Sequence, residues 1–455
     1  MRIAMVSEHA SPLAVLGGVD AGGQNMHVAS LARALVGRGH EVEVFTRRDD
    51  PGLAETVVVQ PGLRVTHVPA GPARMIGKDT MAPYMPAFGA WLRHRWESPP
   101  AHNRRPNRDH RPDRSDRSDR SDRNRRPDLV HAHFWMSGVA AMAAARPLGL
   151  PVVQTFHALG VVKARHQGDA DTSPPERLVA ERRLARTVDL VLATCTDEVA
   201  ELTGLGARAD RIRIVPCGVD TELFGPTGPV AARGPRFRLL TVGRLVERKG
   251  VDTVLRALAT LVPGMDAELV VIGGPEPAGL AADPEVRRLR SLADRLGIAE
   301  RVHFAGRLPA PAVAAQYRTA DVVVATPWYE PFGLVPLEAM ACGAVFVGSA
   351  VGGLLDTVRD GESGLLVPPR DPETLAFQLR RLAGDPGWRA RLGAAARRRA
   401  LRFETARVAA DTESAYAELV GDPRTIRSTV STGSAGTGLA ASDSLQSVGD
   451  QREPA

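Results

Sequence analysis

The chain has 455 residues, 44% of them hydrophobic and 24% charged, which is the composition of a globular protein with room for two or three domains. Aromatic residues make up only 4%, and the formal net charge of +6 comes almost entirely from one segment, Asn103–Arg126, which carries ten Arg and five Asp. Because the rest of the chain is close to neutral and poor in base-stacking side chains, we expect no nucleic-acid partner.

The three cysteines, Cys195, Cys217 and Cys342, lie far apart and form neither a metal-ligand spacing nor a CxxC pair, as expected in a reducing cytoplasm. The N-terminal apolar run breaks at Ser7 and is too short for a signal peptide. No apolar run reaches the roughly 18 residues of a membrane span. We therefore predict a cytoplasmic protein without a transmembrane segment, while a peripheral membrane contact and the oligomeric state stay open.

Short apolar runs alternate with longer Ala-, Leu- and Arg-rich stretches along the chain. This alternation favours parallel sheets with helices on both faces, the α/β class. The predicted strands are, in chain order, Arg2–Ser7, Glu41–Thr46, Leu129–His131, Val152–Thr155, Leu190–Ala193, Ile212–Val215, Arg238–Val242, Glu268–Ile272, Val302–Ala305, Val322–Ala325 and Ala344–Val347.

A Pro- and Gly-rich stretch (GPTGPVAARGP) separates two such halves, so we predict two doubly wound, Rossmann-like domains. Repeated DRS triplets without an apolar residue predict a disordered insertion within the first domain, and the Ser-, Thr- and Gly-rich tail is predicted to be disordered too. The predicted boundaries are residues 1–216 for the first domain with its insertion at 102–126, 217–236 for the linker, 237–400 for the second domain, 401–420 for a terminal helix and 421–455 for the tail.

The first motif, GGVDAGGQN at Gly17–Asn25, follows the first predicted strand and precedes a predicted helix. Glycines at the carboxyl end of a strand let the backbone approach a diphosphate, and a helix N-terminus adds N–H donors. We predict that Gly22 and Gly23 contact phosphate and that Asp20 and Asn25 offer polar groups to an acceptor or sugar. The alternative is a flexible turn with a helix cap.

The second motif, GRLVERKG at Gly243–Gly250, carries Arg244 and Lys249 between a predicted strand and a helix. Two cations held there would stabilise the negative charge that develops on a departing nucleoside diphosphate. The alternative is a pair of surface cations beside a turn.

The third motif, EPFGLVPLE, places Glu330 before a helix start and Glu338 about two helical turns further on. We predict that Glu330 accepts hydrogen bonds from sugar hydroxyls and that Glu338 reaches ribose hydroxyls. General acid–base chemistry by the two carboxylates, or a capping Glu with a surface Glu, are the alternatives.

Three histidines follow predicted strands, His131 and His133 in HAHFW and His157 in QTFHALG. The HxH pattern lacks a third metal ligand nearby, so a neutral histidine that donates to a sugar oxygen or to the backbone is the better interpretation. For His131 a structural role is equally open, and His157 is the stronger candidate for the active site.

In this order and spacing, DAGGQN, GRLVERKG and EPFGLVPLEAMACG resemble the retaining glycosyltransferases of family 4, which have the GT-B fold. The resemblance runs from about Arg2 to Leu419. Through SEHASPL, HAHFWMSG and the FHALGVVK–DTSPPER stretch, the first half resembles the branch that contains mycothiol-pathway inositol-phosphate glycosyltransferases and sucrose-phosphate synthases. The resemblance implies a cleft between two Rossmann-like domains and a terminal helix that crosses back onto the first domain.

The implied activity is transfer of a hexosyl group from a nucleotide diphosphate sugar, UDP- or GDP-linked, to a small polar acceptor such as a phosphorylated polyol or sugar, without an essential metal. Gly23 would meet the donor phosphate, and His157 would sit beside the reacting sugar. The candidate residues are His157, Arg244, Lys249 and Glu330 for catalysis; Gly22, Gly23, Arg244, Lys249, Glu330, Phe332, Gly333, Leu334 and Glu338 for donor binding; and His9, Asp20, Asn25, Lys78, His133 and Arg177 for substrate binding.

The acceptor half departs from the inositol-phosphate pattern. That branch grips the acceptor phosphate with a Lys, a Tyr, a Thr and an Arg, of which Lys78 and Arg177 match. Phe134 stands where the Tyr is expected and Ala158 where the Thr is expected, so two hydroxyls are lost.

Two other functions remain open, a GT-B nucleotide-sugar epimerase and a catalytically inactive sugar-nucleotide-binding scaffold. A nicotinamide dehydrogenase is disfavoured because no GxGxxG with a later acidic residue is present.

Overall fold

The computed structural model describes residues 1–13, 22–97 and 126–421. The predicted insertion at 102–126 lies outside these ranges except for Arg126, and so does the predicted tail beyond Gly421. Residues 14–21, which include Asp20, lie outside these ranges as well. The structure therefore does not test the role predicted for Asp20.

The first half of the chain forms an eight-stranded sheet in the order β3-β4-β2-β1-β5-β6-β7-β8. All neighbours are parallel except β3 and β4, which pair antiparallel at one edge. The strands are β1 Arg2–Val6, β2 Glu41–Arg47, β3 Thr56–Gln60, β4 Leu63–Val68, β5 Leu129–His133, β6 Val152–Thr155, β7 Leu190–Ala193 and β8 Ile212–Ile214.

The second half forms a six-stranded, entirely parallel sheet in the order β11-β10-β9-β12-β13-β14. Its strands are β9 Phe237–Val242, β10 Ala267–Ile272, β11 Val302–Gly306, β12 Val322–Ala325, β13 Val345–Ser349 and β14 Leu365–Val367. The carboxyl ends of the parallel strands therefore lie on one side of each sheet.

Helices cover both faces of each sheet, because alternate strand residues point to opposite sides. In β1, Ala4 and Val6 belong to one hydrophobic cluster, and Ile3 and Met5 belong to the cluster on the other face. None of the helices in the described ranges is long and apolar enough to span a bilayer. The helices are α1 Gly23–Gly37, α2 Met85–Glu97, α3 Trp135–Ala145, α4 Gly160–Gln167, α5 Glu176–Thr187, α6 Thr196–Gly204, α7 Val251–Leu261, α8 Pro284–Arg295, α9 Ala310–Tyr317, α10 Leu334–Ala341, α11 Gly353–Thr357, α12 Pro372–Gly384, α13 Pro386–Ala400 and α14 Thr405–Val420.

All eleven predicted strands are present in the structure, within one or two residues at their ends. Three strands were not predicted: β3, β4 and β14. The first of these is an edge strand whose residues are partly exposed, and β14 has only three residues, so neither produces a long apolar run.

The last helix, α14, packs against the first domain although it follows the second in sequence. Val408, Ala409, Ala415 and Tyr416 share a hydrophobic cluster with β1, β2 and α1. The Tyr416 hydroxyl lies 2.7 Å from His131 Nδ1, and both side chains are fully buried. Core packing thus joins α14 to the first strands of the chain.

We expect Tyr416→Phe to lower the free energy of unfolding by about 1–3 kcal/mol, because it leaves a buried imidazole nitrogen without its partner. Urea denaturation measures the change. Glu418→Ala on the same helix is the matched control, since its pair with Arg213 is exposed and contributes less than about 1 kcal/mol. Equal losses in the two variants would contradict the importance of the buried contact.

Candidate active site

A cleft of about 780 Å³ separates the two domains and is lined by residues from both. The loops that follow β1, β5 and β6 form one wall, and the loops that follow β9 and β12 form the other. This is where ligands bind in open α/β sheets, because the carboxyl ends of the strands and the N-termini of the following helices meet there.

Four hydrogen bonds of the described residues cross between the domains beside this cleft, two of them from Thr196 to Asp356. Gln167 Nε2 donates to the Tyr329 hydroxyl at 2.7 Å, Thr194 Oγ1 donates to a backbone carbonyl at 3.1 Å, and Thr196 Oγ1 donates to the carboxylate of Asp356 at 3.0 Å. The two walls therefore touch each other beside the cleft.

The N-terminus of α1 faces the second domain at very short range. A Cβ at Gly23 would lie 3.2 Å from Leu334 Cδ1 and 3.7 Å from Phe332 Cδ2, so a larger residue would push the opposite wall away. Both Gly22 and Gly23 line the cleft, and their contact with a phosphate stays a prediction. The first turn of α1 and the positive end of its dipole therefore lie at the cleft, where they would stabilise an anion.

Asn25 also lines the cleft, but its amide holds the loop. Its Oδ1 accepts from Gly22 N at 3.3 Å, and its Nδ2 donates to the Ser11 carbonyl at 3.1 Å. The capping alternative describes these contacts better than the predicted binding of acceptor or sugar.

Arg244 and Lys249 line the opposite wall, after β9. The Lys249 ammonium forms an ion pair with Glu330, which follows β12. Burial raises the pKa of Glu330, but the charge of Lys249 and a hydrogen bond from it outweigh burial and bring that pKa below its usual value. The two predicted motifs are thus joined by a partly buried pair with an ionised carboxylate.

The segment after Glu330 turns sharply into α10. Gly333 has φ +72°, a left-handed conformation that favours glycine, and a Cβ there would lie 3.1 Å from Thr357 Oγ1. Phe332 and Leu334 line the cleft, whereas Gly333 does not. The structure thus gives Gly333 a conformational role, and its donor contact stays a prediction.

Glu338 lies inside α10 and lines the cleft. One of its oxygens accepts a hydrogen bond from the Tyr317 hydroxyl at 3.0 Å. Burial raises the pKa of Glu338 to about 7. This carboxyl group therefore changes its charge close to neutral pH.

Of the three candidate histidines, only His157 lines the cleft. His133 is fully buried and its Nδ1 lies 2.9 Å from His157 Nε2. His131 Nε2 lies 2.9 Å from Thr155 Oγ1, and its Nδ1 bonds to Tyr416 as described above. His133 thus lies behind His157 and does not line the cleft, and its substrate contact stays a prediction; His131 makes both of its contacts inside the first domain.

Three of the substrate-binding candidates, His9, Lys78 and Arg177, line the first-domain wall together with Phe134. His9 and Lys78 line the cleft, and the His9 ring packs edge-on against Phe134 with centroids 5.1 Å apart. The Arg177 guanidinium lies 5.0 Å from the Phe134 ring centroid and donates to the Ala158 carbonyl at 2.7 Å. The two positions that lost a hydroxyl are thus in direct contact with the predicted cation.

Arg177 also donates to Glu181 Oε1 at 2.7 Å, so its charge is balanced within the first domain. Sequence reasoning missed Lys163, which lines the cleft and pairs with Asp171 at 2.8 Å. It missed Arg248 too, which lies 4.9 Å from the Tyr329 ring. Both residues lie inside motifs quoted above, and a cation within such a motif is the signal that could have found them.

Among the described residues, no group of three or more His, Cys, Asp and Glu side chains is arranged to hold a metal ion.

Two family models match the chain. Residues 22–218 match the family described as glycosyl transferase 4-like domain, and residues 229–399 match the glycosyl transferases group 1. A D-inositol 3-phosphate glycosyltransferase from Streptomyces bingchenggensis is 36% identical over 446 residues, which is 94% of this chain and 91% of the relative.

Among solved structures, sucrose-phosphate synthase from Thermosynechococcus elongatus is similar with a TM-score of 0.78 and 30% identity, covering 92% of this chain and 98% of that one. Anabaena Alr3699/HepE in complex with UDP-glucose shares the fold at a TM-score of 0.63 and 19% identity, covering 92% and 99%. The resemblance drawn from the three motifs is thus confirmed. The chain belongs to the family 4, group 1 glycosyltransferases of GT-B fold and is a hexosyltransferase.

Proposed function

We propose that this enzyme transfers a hexosyl group from a nucleotide diphosphate sugar to a phosphorylated polyol or sugar, with retention of the anomeric configuration. The observation that carries the proposal is the convergence of two cations, a helix N-terminus and a neutral histidine on one interdomain cleft. Relatives named for D-inositol 3-phosphate and for sucrose phosphate, and a fold neighbour in complex with UDP-glucose, support the same substrates.

The donor diphosphate is assigned to Arg244, Lys249 and the start of α1. As the bond to the leaving group breaks, negative charge grows on the phosphate oxygens, and fixed cations stabilise that charge more than they stabilise the ground state. The ion pair with Glu330 holds the Lys249 ammonium at the wall of the cleft, so no reorganisation is needed during the reaction.

The donor sugar and ribose are assigned to the two carboxylates. Glu330 is held ionised and acts as a hydrogen-bond acceptor for sugar hydroxyls, since an ionised carboxylate accepts and does not donate. Glu338 has one oxygen occupied by Tyr317 and offers the other to ribose. His157 stands across the cleft, on the side of the acceptor.

The transfer step is a displacement on one face of the sugar. The acceptor hydroxyl oxygen forms the bond to the anomeric carbon while the bond from that carbon to the phosphate oxygen breaks. The hydroxyl proton goes to the departing phosphate oxygen, which serves as the base. Closure of the two walls keeps out water, which would otherwise hydrolyse the donor.

The acceptor is assigned to the pocket around Phe134, with Lys78 and Arg177 as the groups that face a phosphate. The internal pairing of Arg177 with Glu181 reduces the charge available to an anion. Apolar Phe134 and Ala158 supply no hydroxyl donors there. We therefore assign this enzyme a weaker grip on the phosphate than its hydroxyl-bearing relatives have.

Lys249→Ala is expected to lower kcat for hexosyl transfer on the order of 10²-fold, as does the loss of one stabilising group for developing charge. Transfer is measured with a panel of UDP-, GDP- and ADP-linked hexoses. Arg256→Ala, on the exposed side of α7, is the control and should keep full activity. A fully active Lys249→Ala variant would refute the assignment.

Phe134→Tyr and Ala158→Thr should each lower KM for a phosphorylated acceptor about fivefold, the equivalent of one hydrogen bond worth roughly 1 kcal/mol. The assay compares D-inositol 3-phosphate with inositol, and the gain should be confined to the phosphorylated form. An equal gain for both acceptors, or none, would show that these positions do not face the phosphate.

Binding of a nucleotide sugar should weaken as the pH falls below about 7, because ribose hydroxyls donate to the ionised form of Glu338 and protonation removes that acceptor. Calorimetric titrations at pH 6, 7 and 8 should show proton release on binding at the lowest pH. Glu338→Gln should bind more weakly at pH 8 and lose most of the pH dependence. An unchanged pH profile in that variant would exclude the role.

A further inference from the structure

Glu8 is a buried carboxylate that follows β1 directly and lies behind the wall of the cleft. Its side chain is fully buried and does not line the cleft, whereas the next residue, His9, does. A carboxylate is costly to bury unless it is paired, and glutamate is rarely buried without a partner. Within the ranges that the structure describes, Glu8 forms its ion pair with His9 and with no Lys or Arg. A role for this carboxylate is therefore to be sought through His9.

Two hydrogen bonds hold the Glu8 carboxylate in place. His9 Nδ1 lies 2.7 Å from Oε1, and the Ser137 hydroxyl on α3 donates to Oε2. The Ser137 oxygen also accepts from Glu8 N at 3.0 Å. The backbone is fixed as well, because Arg47 N in β2 donates to the Glu8 carbonyl at 3.0 Å. The carboxylate thus has a defined position from which it can orient the neighbouring imidazole.

The bond between Glu8 and His9 determines which ring nitrogen carries the proton. An ionised carboxylate has only acceptor atoms, and an imidazole binds a proton more tightly than a carboxylate does. The shared proton therefore belongs to His9 Nδ1, which donates to Glu8. A neutral imidazole has a single N–H group, so the other ring nitrogen, Nε2, is then a hydrogen-bond acceptor.

His9 Nε2 is open on the side of the cleft. The His9 side chain belongs to the cleft wall and keeps 7% of its surface exposed. Among the residues that the structure describes, Nε2 makes no hydrogen bond, and it is not one of the buried polar atoms that lack a partner. Since this nitrogen is neither bonded nor buried, it faces space that a substrate can occupy.

The surroundings of His9 suit a hydroxyl group better than a phosphate. An ionised phosphate offers acceptor oxygens, which an acceptor nitrogen cannot bind, and the charge of Glu8 behind the ring repels an anion. Lys78 and Arg177, the cations assigned to the phosphate, line the same wall. The His9 ring is centred 5.1 Å and the Arg177 guanidinium carbon lies 5.0 Å from the centroid of Phe134. The wall therefore has a cationic part and, beside the same ring, a part that accepts hydrogen bonds.

His9 is also close to the histidine assigned to the reacting region. Burial lowers the pKa of His157 well below its usual value, and the neighbouring His27, His131 and His9 lower it further. His9 thus lies within electrostatic reach of His157, and both line the cleft. A hydroxyl group bound by His9 is therefore held near His157 and not at a remote part of the cleft.

We infer that Glu8 is a positioning residue that holds His9 in the Nδ1–H tautomer, so that His9 Nε2 accepts a hydrogen bond from a hydroxyl group of the substrate that receives the sugar. The substrate contact rests on the proposed function, whereas the tautomer does not. The receiving substrate is thereby narrowed to a compound that presents a hydroxyl group to His9 and an anionic group to Lys78 and Arg177.

The direct test is long-range nitrogen–proton NMR on the full chain with ¹⁵N-labelled histidine and no substrate, at about pH 8.5, where a free imidazole is neutral. The signals of His9 are identified among the 12 histidines by their loss in His9→Gln. We expect a proton on Nδ1 and none on Nε2. A proton on Nε2, in a neutral or a charged ring, overturns the inference whatever the activity of the enzyme.

Two substitutions at Glu8 separate positioning from packing. Glu8→Gln keeps a carbonyl oxygen that accepts from His9 Nδ1, so it should retain the tautomer and change KM for the receiving substrate less than about twofold. Glu8→Met fills similar space without an acceptor, so it should release the tautomer and raise that KM about fivefold, as for one lost hydrogen bond. Because this bond is made before and during the reaction, kcat should stay within about twofold. Equal KM values and an unchanged tautomer in the two variants overturn the inference.

Two inositol substrates distinguish a hydroxyl contact from a phosphate contact. The rise in KM of Glu8→Met should be the same for D-inositol 3-phosphate and for inositol, because the lost bond is to a hydroxyl group that both compounds carry. A rise confined to the phosphorylated compound overturns the assignment to a hydroxyl. Failure of both compounds as substrates would contradict the proposed function alone, since the NMR result still decides the tautomer.

Tyr416→Phe is the matched control, because it removes a buried hydrogen bond from the first domain without a change at Glu8 or His9. Its His9 tautomer and its KM should match the wild type even though its stability is lower. Binding of a nucleoside diphosphate should be unchanged in Glu8→Met, since the diphosphate is assigned to Arg244, Lys249 and the start of α1. A loss of that binding would point to collapse of the site and contradict positioning.

Discussion

The common direction of the parallel strands is the constraint on which the rest of this structure depends. Because β1, β5 and β6 end at one edge and β9 and β12 end at another, most of the chemical groups of the cleft lie in the segments that follow these strand ends. The two edges face each other, so groups far apart in sequence converge without long loops. Helix α14 then packs against the first sheet and connects the two domains by core contacts.

The walls of the cleft differ in their electrostatics. The second-domain wall carries charge, in Arg244 and in the pair of Lys249 with Glu330, whereas the first-domain wall places the neutral imidazole of His157 opposite. Cations stabilise the negative charge that develops on a departing diphosphate. A neutral imidazole can form a hydrogen bond with a sugar oxygen, which gains no such charge. Burial produces both states, since it strengthens the ion pair and keeps the histidines uncharged.

Several predictions from sequence depended on chemistry that is local, and these agree with the structure. The eleven strands and the helices predicted after the first and third motifs follow from apolar runs and glycines whose effects act over a few residues. The motif order was sufficient to identify the family as well, because EPFGLVPLEAMACG and its companions are long and specific. The sequence analysis missed β3 and β14, which are only five and three residues long and lie at the edges of their sheets.

By itself the sequence determined the fold class, the family and which strand ends carry cations, carboxylates and histidines. Only the tertiary structure decided which of these groups face the cleft. His133 and His157 both follow strands in the sequence, yet one lies behind the other, and Asn25 and Arg177 use their polar groups on Gly22, Ser11 and Glu181. The physical reason is that the direction of a side chain and its hydrogen-bond partner depend on neighbours that folding brings in from distant parts of the chain. No local sequence pattern encodes that proximity.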